Sequence, residues 1–168
     1  MPEDSELFVS LAEIAGVFIG FGALIGFTRR PDVAAVDRHR INTVVLVGLL
    51  VVAAALVPVC LARYSLEPTT TWRVSSFIFL VLIWAVILAP FRDSSDRRLL
   101  FSQARPEPIG LVFLLCLEIA VQGPLVFVLL GLFPTASAAL YTTALVINLL
   151  QVSFMLSRLV LSRPVTGA

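Results

Sequence analysis

The stretch LFVSLAEIAGVFIGFGALIGFT, residues 7–28, decides the fold of this chain. It is almost unbroken apolar sequence, interrupted by one carboxylate, Glu13, and by Gly16, Gly20, Gly22 and Gly26. A run of this length is read as a membrane-spanning helix, because a helix satisfies its own backbone polar groups while its side chains dissolve in lipid. At about 100° per residue, Glu13, Gly16 and Gly20 fall within roughly 60° of one another, and Gly22 and Gly26 fall on the opposite face. Each glycine pair is a small-xxx-small step that lets a second helix backbone come close. Two such faces lead to the expectation that this helix sits in the middle of a bundle, with a neighbour on either side.

Outward from that run the pattern recurs at residues 41–61, 72–91, 109–131 and 138–160. Pro31 followed by Asp32 is a good helix start, so the second helix is expected to begin before it enters lipid, and Pro58 to kink or finish it. Residues 62–71 read as a loop ending in Pro68 and three threonines, with Trp72 and Arg73 anchoring the third span at the interface. Residues 97–101 read as a segment lying flat on the membrane, and Phe133-Pro134-Thr135 as the tight turn between the last two spans. The expected fold class is all-α: one domain, residues 1–168, an integral membrane bundle of five transmembrane helices.

Composition agrees. Hydrophobic residues make up 59% of the chain and the mean hydropathy is +1.01, too apolar for a wetted soluble surface. A net charge of +1 argues against a nucleic-acid binder. All 12 basic residues are arginine, so lysine Schiff-base chemistry and a lysine-headed phosphate loop are excluded. Cys60 and Cys116 sit inside apolar runs, without metal spacing, and read as small core fillers. His39, the lone histidine, lies among charges and reads as solvated; it cannot supply a pair of haem ligands. No Gly-x-Ser-x-Gly, His-Glu-x-x-His or phosphate-loop motif is present, and no catalytic residue, metal site or cofactor is expected.

The arginines set an expected orientation. Arg29, Arg30, Arg38 and Arg40 share one loop, Arg92, Arg97, Arg98 and Arg105 another, and Arg158 and Arg163 the C-terminal end, all on one side. Only Arg63 and Arg73 fall on the other, and residues 1–6 carry three acids and no base, which argues against a secretory leader. The N-terminus is therefore expected outside and the C-terminus in the cytoplasm, with the chain in a bacterial inner membrane.

Polar residues inside the spans are the candidate site. Glu13 lies roughly 6 Å outward of the midplane of its span. Its expected partner is Arg73, snorkelling inward to make an ion pair; the rival role is proton or cation handling. Glu118 and Gln122 are one turn apart on the fourth helix, and Asn148 and Gln151 form a similar step on the fifth at matching depth. Hydrogen bonds among these four would hold the hairpin together, and the rival reading is a wet pathway or pocket.

The run Leu11-Ala12-Glu13-Ile14-Ala15-Gly16 with Gly20-Phe21-Gly22, followed by Trp72-Arg73-Val74-Ser75-Ser76, resembles a loose group of small bacterial polytopic integral membrane proteins of unassigned activity. The resemblance spans most of the chain. It implies a membrane bundle and carries over no substrate, cofactor or catalytic residue. The leading functional expectation is thus a non-catalytic membrane module in contact with lipid, either a homo-oligomer or an accessory subunit of a larger membrane complex. The alternative is a proton or cation channel or carrier that uses Glu13 and Glu118. A lipid-modifying enzyme ranks third, since the spans hold no paired nucleophile and base.

Overall fold

The computed structural model of the chain describes residues 2–28, 35–64, 66–89 and 108–161. The described residues are all helical, with no strand, and five helices are long and apolar enough to cross a membrane. This is the build of a multi-pass membrane protein. The helices are α1 (Pro2–Thr28), α2 (Ala35–Ala62), α3 (Pro68–Leu88), α4 (Pro108–Leu130) and α5 (Ser137–Leu161). The surface segment expected at 97–101, and the side chains of the arginine-rich stretch 29–40, lie outside the described residues.

Local sequence explains where the helices start and stop. α1 carries Glu6 near its N-terminal end, where the helix dipole favours negative charge. α3 starts at Pro68, four residues before the expected Trp72. Proline at the first helical position sacrifices no intrahelical bond. The Glu67 carbonyl then accepts both the Thr71 amide, at 3.0 Å, and the Thr71 hydroxyl, at 3.2 Å. The threonines read as loop are thus the first turn of the helix.

α4 ends in a Schellman motif. The Leu132 amide donates to the Phe127 carbonyl and the Gly131 amide to the Val128 carbonyl, with Gly131 at φ +68°. A single 3-10 turn, Pro134–Ala136, leads into α5, and the Ser137 hydroxyl donates back to the Phe133 carbonyl at 3.2 Å.

Pro58 does not finish α2, which continues to Ala62. A proline within a helix leaves the carbonyl four residues earlier without its donor, here that of Ala54. The hydroxyl of Tyr141 on α5 donates to that carbonyl at 2.6 Å. The side chain of Tyr141 is fully buried, packed among the rings of Phe8, Trp72 and Phe79 at centroid distances of 5.7–6.0 Å. One tyrosine therefore repairs α2 and ties α1, α3 and α5 together at the same level.

The bundle is organised around α5, which packs against each of the other four helices, while α2 packs against α1, α3 and α5. The expectation that α1 occupies the middle is overturned. α1 leans mainly on α2, and 22% of its membrane window is buried, against 44% for α2. Its inward stripe is Phe8, Leu11, Ala15 and Gly22; its outward side shows Val9, Val17, Phe21 and Leu24. Lipid is as apolar as these side chains, so nothing drives a smooth helix to the centre. Glycine permits close packing without compelling it.

Candidate functional site

Within the bundle, the fourth and fifth helices bring three of the expected polar residues into one hydrogen-bonded group. The Gln122 side-chain amide donates to one carboxylate oxygen of Glu118 at 3.0 Å, from the next turn of α4. The Gln151 amide donates to the other oxygen at 3.2 Å, from α5. Glu118 is thereby half-buried, with each oxygen accepting one N–H. Asn148 lies one turn before Gln151 on α5 and is buried. Two acceptors here stay orphaned, the side-chain carbonyl oxygens of Asn148 and Gln151. The hydroxyls of Ser75 and Ser76, buried on α3, are orphaned too. An orphaned buried oxygen is costly, so each of these wants a donor.

The site expected around Glu13 is arranged differently. Glu13, Gly16 and Gly20 are exposed on the outer face of α1, and a Cβ at either glycine would meet nothing within 4 Å. Gly22, on the opposite face, packs against α2, with Val44 and Val45 at 3.3 and 3.6 Å from its Cβ position. The surroundings of Gly26 lie outside the described residues. The Glu13–Arg73 ion pair is not formed: the Arg73 guanidinium lies over Gly131, at the C-terminal end of α4. The physical reason is local. The last carbonyls of α4 carry partial negative charge, and a left-handed glycine without a side chain leaves room for a planar cation. Arg158 makes the matching contact at the other end of α4, against Gly110, with its guanidinium carbon 5.6 Å from the Phe154 ring centroid.

Two further readings need correction. Cys60 and Cys116 are exposed rather than core fillers, because an apolar thiol is as comfortable facing lipid as facing a neighbour. The glycine that α1 crowds most tightly on α2 is Gly48, where a Cβ would come within 2.6 Å of Ile19 Cγ1 and 3.8 Å of the Ala15 carbonyl. The signal for Gly48 was present, a lone glycine in an otherwise branched apolar run.

No protein-family model, curated protein or solved structure matches the chain. The resemblance at residues 11–16 and 72–76 thus rests on those residues alone. Among the described residues no group of three or more His, Cys, Asp or Glu side chains is placed to hold a metal ion. What α4 and α5 offer is one carboxylate held by one N–H from each of Gln122 and Gln151, and two buried amide oxygens without a donor, those of Asn148 and Gln151. That inventory suits binding and proton or cation contact; it provides no nucleophile paired with a base.

Proposed function

We propose that this chain is a non-catalytic, multi-pass module of the bacterial cytoplasmic membrane that assembles with a second copy of itself through the outer face of α1. The observation that carries the reading is the open face of Glu13, Gly16 and Gly20, unused inside the protomer. A carboxylate facing acyl chains costs about 2.5–3.5 kcal/mol on insertion scales, so the face is unfavourable while it is bare. A second copy on a twofold axis brings small residues against small residues and takes each Glu13 out of contact with the acyl chains. The same surface would accept a helix of a larger membrane complex. The arginine distribution supports placing the N-terminus outside and the C-terminus in the cytoplasm.

The test is crosslinking in native membranes. With Cys60 and Cys116 replaced by serine, Gly16→Cys should crosslink to a dimer, and adding Gly20→Ile should abolish the dimer without changing the melting of the protomer. A chain that stays monomeric in native membranes, with no partner crosslinked, sinks the proposal.

A second reading, passage of protons or cations using Glu13 and Glu118, draws support from the two amides that hold the Glu118 carboxylate inside the bundle. Flux into proteoliposomes should then fall at least tenfold with Glu118→Gln or Glu13→Gln. Wild-type flux no greater than that of empty vesicles ends this reading.

A further inference from the structure

Two of the described helices carry a proline in their interior, and the two breaks are treated differently. Pro58 on α2 deprives the Ala54 carbonyl of its donor, and the Tyr141 hydroxyl supplies one from α5. Pro124 on α4 does the same to the Ala120 carbonyl. Among the described residues no side chain donates to Ala120, which is exposed. The residue before this proline is Gly123, and a Cβ there would meet nothing within 4 Å. One break is thus stapled by a neighbour, and the other is open and carries a glycine, a combination that lets a helix bend.

The two sides of the open break are held unequally. Beyond it the chain is built into the core: Leu125 and Val128 are 0% and 1% exposed, Phe127 packs on Phe133 of the following turn at 6.2 Å, and the Arg73 guanidinium lies over Gly131. Before it, no residue from 112 to 120 is buried. What ties this half to α5 is side-chain contact: Arg158 against Gly110, Phe154 on Phe113 at 4.7 Å, and the Gln151 amide on Glu118 at 3.2 Å. Lipid is as apolar as the two phenyl rings, so parting them costs less than it would in water, and the polar contacts weigh more. Glu118 is the hub of these, because Gln122, inside the broken turn, donates to its other oxygen at 3.0 Å.

We propose that residues 112–120 of α4 form an arm that swings about the turn 120–124, and that Glu118, clasped by Gln122 and Gln151, is the latch that keeps the arm against α5. Opening carries Glu118 away from Gln151 and uncovers that side chain, which is 5% exposed while the arm is shut. The device depends on neither self-assembly nor transport.

The experiment measures spin–spin distances in the purified full-length chain, in detergent and diluted with unlabelled chain. One label goes on the native Cys116, exposed on the arm, and the other on Leu49→Cys of α2, with Cys60→Ser in the background. A control pair replaces Cys116 by serine and labels Val126→Cys, exposed beyond the break. The Cys116 pair should give two distances and the Val126 pair one. Gln151→Leu should raise the open population about threefold, the effect of losing one average membrane hydrogen bond. Pro124→Ala restores the helical donor to Ala120 and should leave the Cys116 pair with one distance. Hydrogen exchange of the unaltered chain needs no substitution: amides 112–120 should exchange about tenfold faster than amides 125–130. A single distance for the Cys116 pair in both the parent and Gln151→Leu overturns the proposal, and so does an unchanged distribution in Pro124→Ala. If either variant fails to fold, equal exchange on the two sides of the break overturns it alone.

Discussion

At the scale of single residues, the pairing of Pro58 with Tyr141 explains most. Proline orphans the Ala54 carbonyl, and a phenol from another helix takes it. Membrane hydrogen bonds average about 0.6 kcal/mol because a separated group usually finds another partner, but a proline-orphaned carbonyl inside a bundle has few. Tyr141→Phe should therefore cost about 1–2 kcal/mol, near the upper end of that range. Pro58→Ala restores an amide to α2, so in that background Tyr141→Phe should cost less than half as much. SDS-unfolding of the four proteins of the cycle measures this, and equal costs in both backgrounds would refute the repair. Pro58 and Tyr141 were each legible in the sequence, but they are far apart along the chain and no spacing rule joins them.

At the scale of elements, the helices themselves were readable. The five apolar runs, the turn at Phe133-Pro134-Thr135 and the persistence of the first helix to Thr28 all follow from composition and length. The exception is the start of α3, where three threonines after a proline look like loop until the Glu67 carbonyl is seen to bind Thr71 twice. Which glycine matters was not readable. Gly48→Ala places a methyl group 2.6 Å from Ile19 Cγ1 and should destabilise the α1–α2 pair by about 1–3 kcal/mol. Gly16→Ala meets nothing and should leave the protomer as stable or slightly more so, alanine being the better helix former. Thermal melting in a detergent that keeps the chain monomeric separates the two, and equal losses would contradict the assigned faces.

For the whole molecule, α2 is the most buried helix, while α5 is the one that packs against all four others. Its buried stripe runs through Ser137, Tyr141, Ala144, Leu145, Asn148, Gln151 and Val152, more polar than its lipid side. That inversion of the soluble pattern is the cue sequence reading passed over in favour of the glycines of α1. Ala144 is fully enclosed, so Ala144→Leu should cost about 1–3 kcal/mol through overpacking. Leu150 is 58% exposed on the same helix, and Leu150→Ala should cost under about 0.5 kcal/mol, since lipid replaces the lost contact. Denaturation midpoints of the two variants check this, and a larger loss at Leu150 would move the centre elsewhere. The same logic applies to Glu118, Gln122 and Gln151: their depth was readable from residue numbers, but which oxygen goes unpaired depends on where each side chain turns.

Read by itself, the sequence determined that the chain is helical, how many helices are long enough to cross a membrane, and which polar residues lie inside them. Those properties depend on hydropathy and residue spacing along one dimension. The tertiary structure alone decided that α5 packs against every other helix while α1 does not, that Arg73 lies over Gly131 instead of pairing with Glu13, and that Tyr141 serves the carbonyl orphaned by Pro58. In lipid every apolar face is equally content outside, so hydropathy cannot choose partners, and the choice falls to close packing and to donors meeting acceptors across helices.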